Sequence, residues 1–364
     1  MNPERRIAFY LSSLGGGGAQ RVVLTLANAM AEQGVHIDLV LVKARGPFLA
    51  QVHPGVRIVD LAVGNVMLSL PGLIRYLRRE RPVALLSSLK HVNVVALIAR
   101  QLSLVPVRVV IGEHNTLSRS RKTSFKDRLL PLLMRVLYPK ADLIVAVSQG
   151  VANDLCASLG LAKEKVQVIF NPVVRSEIAE QAAAPLDHAW FQPGEPPVIL
   201  GMGRLTEQKD FPNLIHAFAL LRKQRDCRLV ILGEGELREE LEALAESLGL
   251  TASISLPGFV DNPFAYMARA GVFVLSSRWE GLPTVLIEAM ACGAPVVSTD
   301  CPSGPVEILQ GDVWGRLVPV GDSVALADAI AATLDDDQQP RVAERAAAFG
   351  IEPARDGYLQ ALLS

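Results

Sequence analysis

Residues 278–298 read RWEGLPTVLIEAMACGAPVVS. They follow an apolar run at 271–275 and lead through a short loop into a helical pattern, with Pro283 at its first position and Gly293 just past its end. A second apolar run closes the stretch. This order predicts a strand, a helix and a strand joined as a parallel βαβ unit.

Two carboxylates mark this unit. Glu280 belongs to the loop above the first strand's carboxyl end, where open α/β sheets bind ligands. Glu288 follows inside the helix, on the same face as Thr284. A carboxylate does not attract an anion, so we expect hydroxyl groups as the partners of Glu280 and Glu288, and the helix N-terminus as the partner of an anion.

The remainder of the chain repeats this alternation in two series, separated by an irregular, proline-rich stretch after Pro172. The apolar strands indicate parallel sheets covered on both faces. The predicted fold class is therefore α/β, with two Rossmann-like doubly wound domains, 1–172 and 173–344. We predict strands near 6–11, 36–42, 56–60, 83–87, 107–111, 142–147, 166–169, 197–202, 228–232, 253–256, 271–275, 295–299 and 315–319, and first-series helices near 18–33, 70–80, 91–102, 124–138 and 148–158.

Composition narrows the class of protein. The chain has 364 residues, more than one core usually spans, and half of them are hydrophobic. No apolar run approaches the ~18 residues of a membrane span, and we expect no secretory leader. The four cysteines show no metal or disulfide spacing, which favours a cytoplasmic location.

The charge is unevenly distributed. Up to Pro172 there are 22 lysines and arginines against 10 aspartates and glutamates, a net charge of +12, whereas the remainder has 14 against 27, a net charge of −13. This asymmetry suggests an anionic surface as a partner of the first part. No nucleic-acid-reading motif accompanies the charge, so we expect no nucleic-acid partner.

A glycine-rich loop follows the first predicted strand. Its members are Gly15, Gly16, Gly17 and Gly18. The run fails as a dinucleotide fingerprint, because Gln20 stands where a small residue is needed and the second strand ends in Lys43 rather than in an acid. Both a tight turn and a ligand-facing loop remain open.

Two cations flank the first loop of the second series. Arg204 and Lys209 lie in GRLTEQKD, between a predicted strand and a predicted helix. Such a pair suits a diphosphate, with the arginine as a bidentate fork and the lysine as a mobile point charge. The alternative is a pair of solvated charges, with Lys209 bonded to Asp210.

Together these motifs resemble those of family 4 retaining glycosyltransferases of GT-B architecture, the group 1 glycosyltransferases that extend lipid-linked or cell-surface saccharides. The matching motifs are the glycine-rich loop, GRLTEQKD at 203–210, LGEGE at 232–236 and EGLP with EAMACG at 280–293. The resemblance implies two domains facing across a cleft, with a terminal helix at about 345–364 crossing back to the first. It also implies sugar transfer from a nucleotide diphosphate sugar to a hydroxyl, with retained anomeric configuration and no catalytic metal or other cofactor.

The resemblance also assigns roles to residues. Glu288 would hold the donor ribose and Glu280 a sugar hydroxyl, while Arg204 and Lys209 would hold the diphosphate. Backbone N–H groups would come from Gly281, Leu282, Pro283 and Thr284. The glycine-rich loop would contact the donor, and Phe259 and Val260 would line the base.

His114, in IGEHNT, matches the position where this family places a histidine near the donor sugar. We predict that it hydrogen-bonds the sugar, the alternative being a structural or surface histidine. Its neighbours Glu113 and Asn115 are candidates for acceptor contacts. The triplet Asp335-Asp336-Asp337 is expected to be a solvated charge run at the end of the last helix of the second domain rather than a metal site.

The acceptor prediction comes from the basic first part. Residues 119–140, RSRKTSFKDRLLPLLMRVLYPK, combine seven cations with one acid and a dense set of apolar residues. This pattern suits an anionic membrane surface, and an ordinary amphipathic domain helix is the alternative. With the arginines at 75, 78, 79 and 81, it favours a polyprenyl-diphosphate-linked saccharide acceptor at the inner face of the cell membrane.

For the donor we favour a UDP-sugar, carrying a hexosyl or N-acetylhexosaminyl group. The alternatives are a GDP-mannose-type mannosyltransferase, a nucleotide-sugar hydrolase or epimerase, and an inactive glycosyltransferase-like partner. The last would usually lose the charged residues that this chain keeps.

Overall fold

Apolar strands alternate with helices from one end of the described chain to the other. The computed structural model describes residues 6–15, 17–118 and 125–364, with backbone only at 125–129. The chain divides into two units: unit 1 is Met1–Pro172 with Gly350–Ser364, and unit 2 is Val173–Phe349.

Unit 1 contains a parallel seven-stranded sheet of order β3-β2-β1-β4-β5-β6-β7. Its elements in chain order are β1 (Arg6–Leu11), α1 (Gly18–Glu32), β2 (His36–Leu41), β3 (Val56–Asp60), α2 (Leu70–Glu80), β4 (Ala84–Ser88), α3 (Lys90–Ser103), β5 (Arg108–Glu113), α4 (Phe125–Leu137), β6 (Leu143–Ala146), α5 (Gln149–Leu159) and β7 (Val166–Val168).

Unit 2 contains a six-stranded sheet of order β10-β9-β8-β11-β12-β13, again with parallel pairings throughout. Its elements are α6 (Ser176–Ala183), β8 (Val198–Met202), α7 (Phe211–Arg222), β9 (Arg228–Leu232), α8 (Arg238–Ser247), β10 (Ile254–Gly258), α9 (Pro263–Met267), β11 (Val272–Leu275), α10 (Thr284–Ala291), β12 (Val296–Thr299), α11 (Pro305–Leu309), β13 (Arg316–Val318), α12 (Ser323–Leu334) and α13 (Val342–Ala346).

The chain returns to unit 1 in the final helix, α14 (Ile351–Leu363). Its residues Ala354, Tyr358, Ala361 and Leu362 are buried in the same core as the strands of unit 1. Arg108 of β5 donates from Nε to the Ala361 carbonyl at 2.8 Å. This carbonyl is one of the last four of the helix, which have no partner within the helix. The helix begins after Gly350, and Pro353 lies inside its first turn, a position that tolerates proline.

The predicted fold class is confirmed, and every predicted strand is present. Three details differ. Pro283 is the N-cap of α10 rather than its first residue, the triplet at 335–337 follows α12 rather than the last helix of unit 2, and α14 is shorter than the predicted terminal helix. Among the described residues, no helix combines the length and the apolar composition needed to cross a membrane.

One buried ion cluster supports the outer part of the first sheet. Asp38 of β2 is fully buried and lies against Arg6, Arg57 and Tyr76. Arg57 Nε donates to Asp38 Oδ1 at 2.9 Å, and Tyr76 Oη donates to Oδ2 at 2.7 Å. Although burial opposes ionisation, these donors hold the pKa of Asp38 below its usual value.

Candidate active site

The strand order of unit 2 reverses between β8 and β11. The chain runs outward from β8 through β9 to β10, then returns to place β11 on the other side of β8. In open parallel sheets, the loops that leave the carboxyl ends of two such strands part and form a crevice for ligands. Arg204 and Lys209 follow β8, and Glu280 follows β11, so the predicted cations and the first carboxylate flank this switch point.

Lys209 and Glu280 form an ion pair at this point. Lys209 Nζ lies 2.6 Å from Glu280 Oε1, with 15% of the lysine side chain and 8% of the glutamate side chain exposed. The alternative pairing of Lys209 with Asp210 is wrong, because Asp210 pairs with Arg278, whose Nε lies 3.0 Å from Asp210 Oδ2. An ion pair screened this well from water is a stronger electrostatic feature than an exposed pair.

Two neutral side chains complete the surroundings of the Glu280 carboxylate. Ser277 Oγ donates to Oε1 at 2.7 Å, and Gln208 Nε2 donates to Oε2 at 3.3 Å. The same Gln208 nitrogen donates to the Trp279 carbonyl at 2.9 Å. The sequence predicted neither residue; the only signal was that each is adjacent to a motif residue or within three positions of one.

The backbones of the two loops are also joined. Ser276 Oγ donates to the Lys209 carbonyl at 2.7 Å, and the Arg278 N–H donates to the Gln208 carbonyl at 2.8 Å. Ser277 is fully buried, and its carbonyl accepts from Thr299 Oγ1 at 2.6 Å. The loops after β8 and β11 and the last residue of β12 therefore hold the ion pair together.

Glycines allow close contact between the backbones of the loops after β8 and β9. A Cβ on Gly233 would lie 2.0 Å from the Gly203 carbonyl oxygen, and a Cβ on Gly235 would lie 2.4 Å from the Leu205 carbonyl oxygen. Gly233 also has a φ of +128°, which disfavours other residues. The two loops are bonded here, from the Leu205 N–H to the Glu234 carbonyl at 3.0 Å. This contact accounts for both glycines of LGEGE.

Arg204 is exposed at the start of the loop after β8. Its guanidinium forms no hydrogen bond or ion pair with any residue in the described parts of the chain. The five donors of this guanidinium, in a fixed fork on the same loop as Lys209, suit a phosphate or carboxylate.

The EGLP segment leads directly from this pair into α10. Thr284 is exposed and Glu288 is partly exposed one turn later, on the same face as predicted. The expectation that all four residues 281–284 offer N–H groups is wrong at one position, because Pro283 has no N–H. Ser303 Oγ donates to the Gly281 carbonyl at 2.8 Å, so the loop after β12 supports this segment.

Phe259 and Val260 follow the last residue of β10, at the same edge of the sheet. Phe259 is 79% exposed, an unusual state for a phenylalanine next to a motif loop. Its exposure is compatible with a base-stacking role, which stays a prediction.

The glycine-rich loop lies at the carboxyl edge of the unit 1 sheet, where β1 and β4 are neighbours and the strand order also reverses. Gly17 is the N-cap of α1, and its N–H donates to Gln20 Oε1 at 2.9 Å. Gln20, which argued against a dinucleotide fingerprint, thus supplies one half of a capping box, since Gly17 has no side chain to return the bond. Gly15, Gly17 and Gly18 are exposed, and Gly16 lies outside the described residues.

Glu113, at the end of β5, is buried with 2% of its surface exposed. Its Oε1 accepts from Tyr138 Oη and, at 3.0 Å, from Asn93 Nδ2. Desolvation raises the pKa of Glu113 to about 7, although these two donors and the nearby Lys90 charge act in the opposite direction. The acceptor contact suggested for Glu113 stays a prediction that would require this internal network to open.

His114 follows at the same strand end. Its Nε2 is buried and has no hydrogen-bond partner among the residues that the structure describes. Desolvation lowers the pKa of His114 to about 4, so the imidazole is neutral at pH 7. Asn115, the second candidate for an acceptor contact, is exposed beside it. An unpaired buried nitrogen is costly in a purely structural histidine, which favours a ligand role.

Two of the three aspartates after α12 form ion pairs. Asp335 pairs with Arg225, and Asp336 Oδ2 lies 3.1 Å from Arg316. In residues 6–15, 17–118 and 125–364, no three His, Cys, Asp or Glu side chains are grouped as ligands for a metal ion.

Comparison with known proteins places this geometry in a family. The model of the family described as "Glycosyl transferases group 1" matches residues 186–349, and that of "Glycosyltransferase Family 4" matches residues 16–177. Each match falls largely within one of the two units.

A curated relative spans nearly the whole chain. It is the N-acetylgalactosamine-N,N'-diacetylbacillosaminyl-diphospho-undecaprenol 4-alpha-N-acetylgalactosaminyltransferase of Campylobacter jejuni, 32% identical over 370 residues, with 97% of this chain and 98% of the relative covered.

Solved structures share the fold at lower identity. The lipopolysaccharide outer core galactosyltransferase WaaB in its apo form has a TM-score of 0.79 at 19% identity, covering 98% of both chains. Anabaena HepE in complex with UDP has a TM-score of 0.77 at 22% identity, covering 98% of this chain and 99% of HepE. The fold is GT-B, and the chain belongs to the group 1 glycosyl transferases of glycosyltransferase family 4.

Proposed function

We propose that this glycosyltransferase moves a sugar from a UDP-sugar to a hydroxyl of a lipid-linked saccharide, with retention of anomeric configuration and without a catalytic metal. The observation that carries the proposal is the Lys209–Glu280 pair at the switch point of unit 2, with the unpaired Arg204 on the same loop as Lys209. Hexosyl and N-acetylhexosaminyl groups are the proposed cargo.

The charges suit the chemistry of transfer. As the bond between the anomeric carbon and the diphosphate breaks, positive charge develops on the sugar ring and negative charge on the leaving oxygen. Arg204 and Lys209 stabilise the leaving diphosphate. The acceptor oxygen forms the new bond on the face that the diphosphate leaves, and its proton passes to the departing phosphate oxygen, so no side chain need act as the base.

Metal independence rests on the same cations. Lys209 and Arg204 supply positive charge where a divalent ion would otherwise act.

The first test of the donor is a thermal-shift panel of UDP-, GDP- and ADP-sugars, in which the correct donor raises the melting temperature. Release of UDP only when a saccharide acceptor is present distinguishes transfer from hydrolysis. A larger shift with GDP-sugars contradicts the proposed base.

The UDP preference and the acceptor are supported by the similar proteins. HepE was solved with UDP, and the Campylobacter relative is named for an undecaprenol-linked acceptor. We propose an undecaprenyl-diphosphate-type saccharide as acceptor, used at the cytoplasmic face of the cell membrane.

The described part of the basic segment supports a peripheral membrane contact. On α4, Leu132 and Val136 are both 62% exposed, and Arg135 is exposed between them. Apolar side chains flanked by cations suit an anionic bilayer surface. Residues 119–124, which carry three of the predicted cations, lie outside the described residues. Among the arginines at 75, 78, 79 and 81, Arg78 donates to the carbonyls of Leu102 and Ser103, so its guanidinium is held within the fold.

Co-sedimentation with vesicles tests this contact. Binding should be stronger to anionic than to neutral vesicles at low salt. It should weaken in the double variant Leu132→Asp with Val136→Asp. The matched control Val324→Asp changes a valine of similar exposure, 58%, in unit 2. Equal binding to both kinds of vesicle contradicts an electrostatic dock.

A further inference from the structure

The Glu280 carboxylate uses its two oxygens unequally. Oε1 accepts two short bonds, from Lys209 Nζ at 2.6 Å and Ser277 Oγ at 2.7 Å. Oε2 accepts one long bond, from Gln208 Nε2 at 3.3 Å. Since each carboxylate oxygen can accept two hydrogen bonds, Oε1 is saturated and Oε2 retains capacity.

The donor to Oε2 is itself fixed elsewhere. Gln208 Nε2 makes its shorter bond, 2.9 Å, to the Trp279 carbonyl, and the Gln208 carbonyl accepts from the Arg278 N–H at 2.8 Å. The amide is therefore held by the loop that carries Glu280, and it presents its second hydrogen to Oε2. Ser277 is fully buried and held through its own carbonyl by Thr299.

We propose that Gln208 and Ser277 are positioning residues, which fix the Glu280 carboxylate so that Oε1 holds Lys209 and Oε2 receives a hydroxyl of the donor sugar. This inference rests on the proposed function, because the hydroxyl belongs to the transferred sugar. It assigns the two oxygens of one carboxylate to two different tasks, and it gives roles to two neutral side chains that contact neither diphosphate nor sugar.

The arrangement solves a physical conflict. Lys209 gains catalytic value only if its ammonium stays aimed at the diphosphate, yet a glutamate free to rotate would offer both oxygens to the lysine. Two neutral donors, one on each oxygen, prevent that rotation without adding charge. The sugar hydroxyl then meets an oriented acceptor and loses less binding free energy to ordering.

The test compares two substitutions of one residue. Gln208→Met keeps the length of the side chain but removes both amide hydrogens, so kcat should fall about tenfold at every pH while the donor KM changes less than threefold. Gln208→Glu places a second carboxyl against Glu280 Oε2 and the Trp279 carbonyl, both of which accept hydrogen bonds. When ionised it repels Oε2; when protonated it donates one hydrogen and restores the contact.

Gln208→Glu should therefore regain activity as the pH falls. The ratio of its kcat to that of the wild type should rise on the order of tenfold between pH 8 and pH 6, since a carboxyl beside another carboxylate has a raised pKa. Gln224→Glu, exposed beyond the far end of α7, is the matched control for added charge and should show a constant ratio. Ser277→Ala should resemble Gln208→Met.

The outcomes separate the two proposals. Wild-type kcat in both Gln208→Met and Ser277→Ala overturns the positioning role, as does a pH-independent ratio for Gln208→Glu. A pH effect confined to KM indicates repulsion of the donor and also overturns it. If the wild type transfers no sugar from any tested donor, the proposed function fails instead. Titration calorimetry with UDP then still tests positioning, because Gln208→Met should weaken UDP binding about twofold through Lys209, and unchanged binding overturns the role.

Discussion

Lys209 Nζ lies 2.6 Å from Glu280 Oε1, across the point where the strand order of unit 2 reverses. Each residue depends on the other, because removing either leaves a poorly solvated charge without its partner. The pair therefore has a structural and a chemical consequence, and the two can be measured separately.

Lys209→Ala should lower turnover by a hundredfold or more, about 3 kcal/mol of transition-state stabilisation. Lys209→Met with Glu280→Gln removes both charges and should restore much of the lost thermal stability without restoring activity. Lys223→Ala, an exposed lysine after α7, is the control. Steady-state kinetics and melting curves of the four proteins give the answer; normal turnover in Lys209→Ala would remove the site assignment.

Glu288→Ala should also lower turnover by a hundredfold or more, through loss of the predicted ribose contact. Because Glu288 is only partly buried on α10, its removal should leave the melting temperature nearly unchanged. Kinetics with the donor varied provide the measurement. An unchanged kcat/KM for the donor contradicts the assignment.

Activity should survive excess EDTA, because in the proposed mechanism Arg204 and Lys209 supply the positive charge at the leaving group. The measurement is UDP release with acceptor present, before and after chelation. A loss of turnover that Mn²⁺ or Mg²⁺ restores would show that a metal ion takes part.

Glu113 and His114 should give unit 1 opposite dependences on pH. The raised pKa of Glu113, from 4.5 to about 7, stabilises the fold below pH 4.5, and this contribution is lost as pH rises to 7. The lowered pKa of His114, from 6.5 to about 4, gives stability above pH 6.5 that is lost as pH falls to 4. Between pH 4.5 and 6.5 the two slopes largely cancel.

Single variants should expose each slope. Relative to the wild type, Glu113→Gln should gain on the order of 3 kcal/mol of unfolding free energy as pH rises from 4.5 to 7. As pH rises from 4 to 6.5, the wild type gains stability from His114, so His114→Gln should lose stability relative to it. Urea unfolding at a series of pH values measures both differences; parallel curves for wild type and variants contradict the assignment.

Gly233→Ala should disrupt the site through the backbone. Its Cβ would overlap the Gly203 carbonyl oxygen at 2.0 Å, whereas Gly249, also at positive φ, has open space around its Cβ position. Gly249→Ala should therefore cost only about 1 kcal/mol of conformational strain. Gly233→Ala should cost more stability and also weaken UDP binding. Equal losses of stability in the two variants would show that the positive φ, and not the overlap with Gly203, causes the effect.

Much of this molecule could be predicted from the sequence because local patterns carry it. Apolar runs specify the strands, and glycines and prolines mark the loop ends, so each predicted strand and the two-sheet class are confirmed. The charged site residues stand in motif loops next to strands, where chain order alone places them at the carboxyl edge.

The partners of those residues could not be predicted, because they depend on which loops meet. Nothing near Gln208 in the sequence indicates that it reaches Glu280, 72 positions away. The buried Asp38 cluster is hidden in the same way. It joins Asp38 to Arg6, Arg57 and Tyr76, four residues from four different elements, and the strand HIDLVL shows only an apolar run with one acid.

Helix α14 has a consequence for how the chain is made. It packs into the core of unit 1, against strands near the N-terminus, yet it follows the whole of unit 2 in the chain. During synthesis from the N-terminus, the continuous unit 2 can fold while the core of unit 1 still lacks one wall. Unit 1 then completes its core last, and its apolar surface beside α1 stays exposed until α14 has been synthesised.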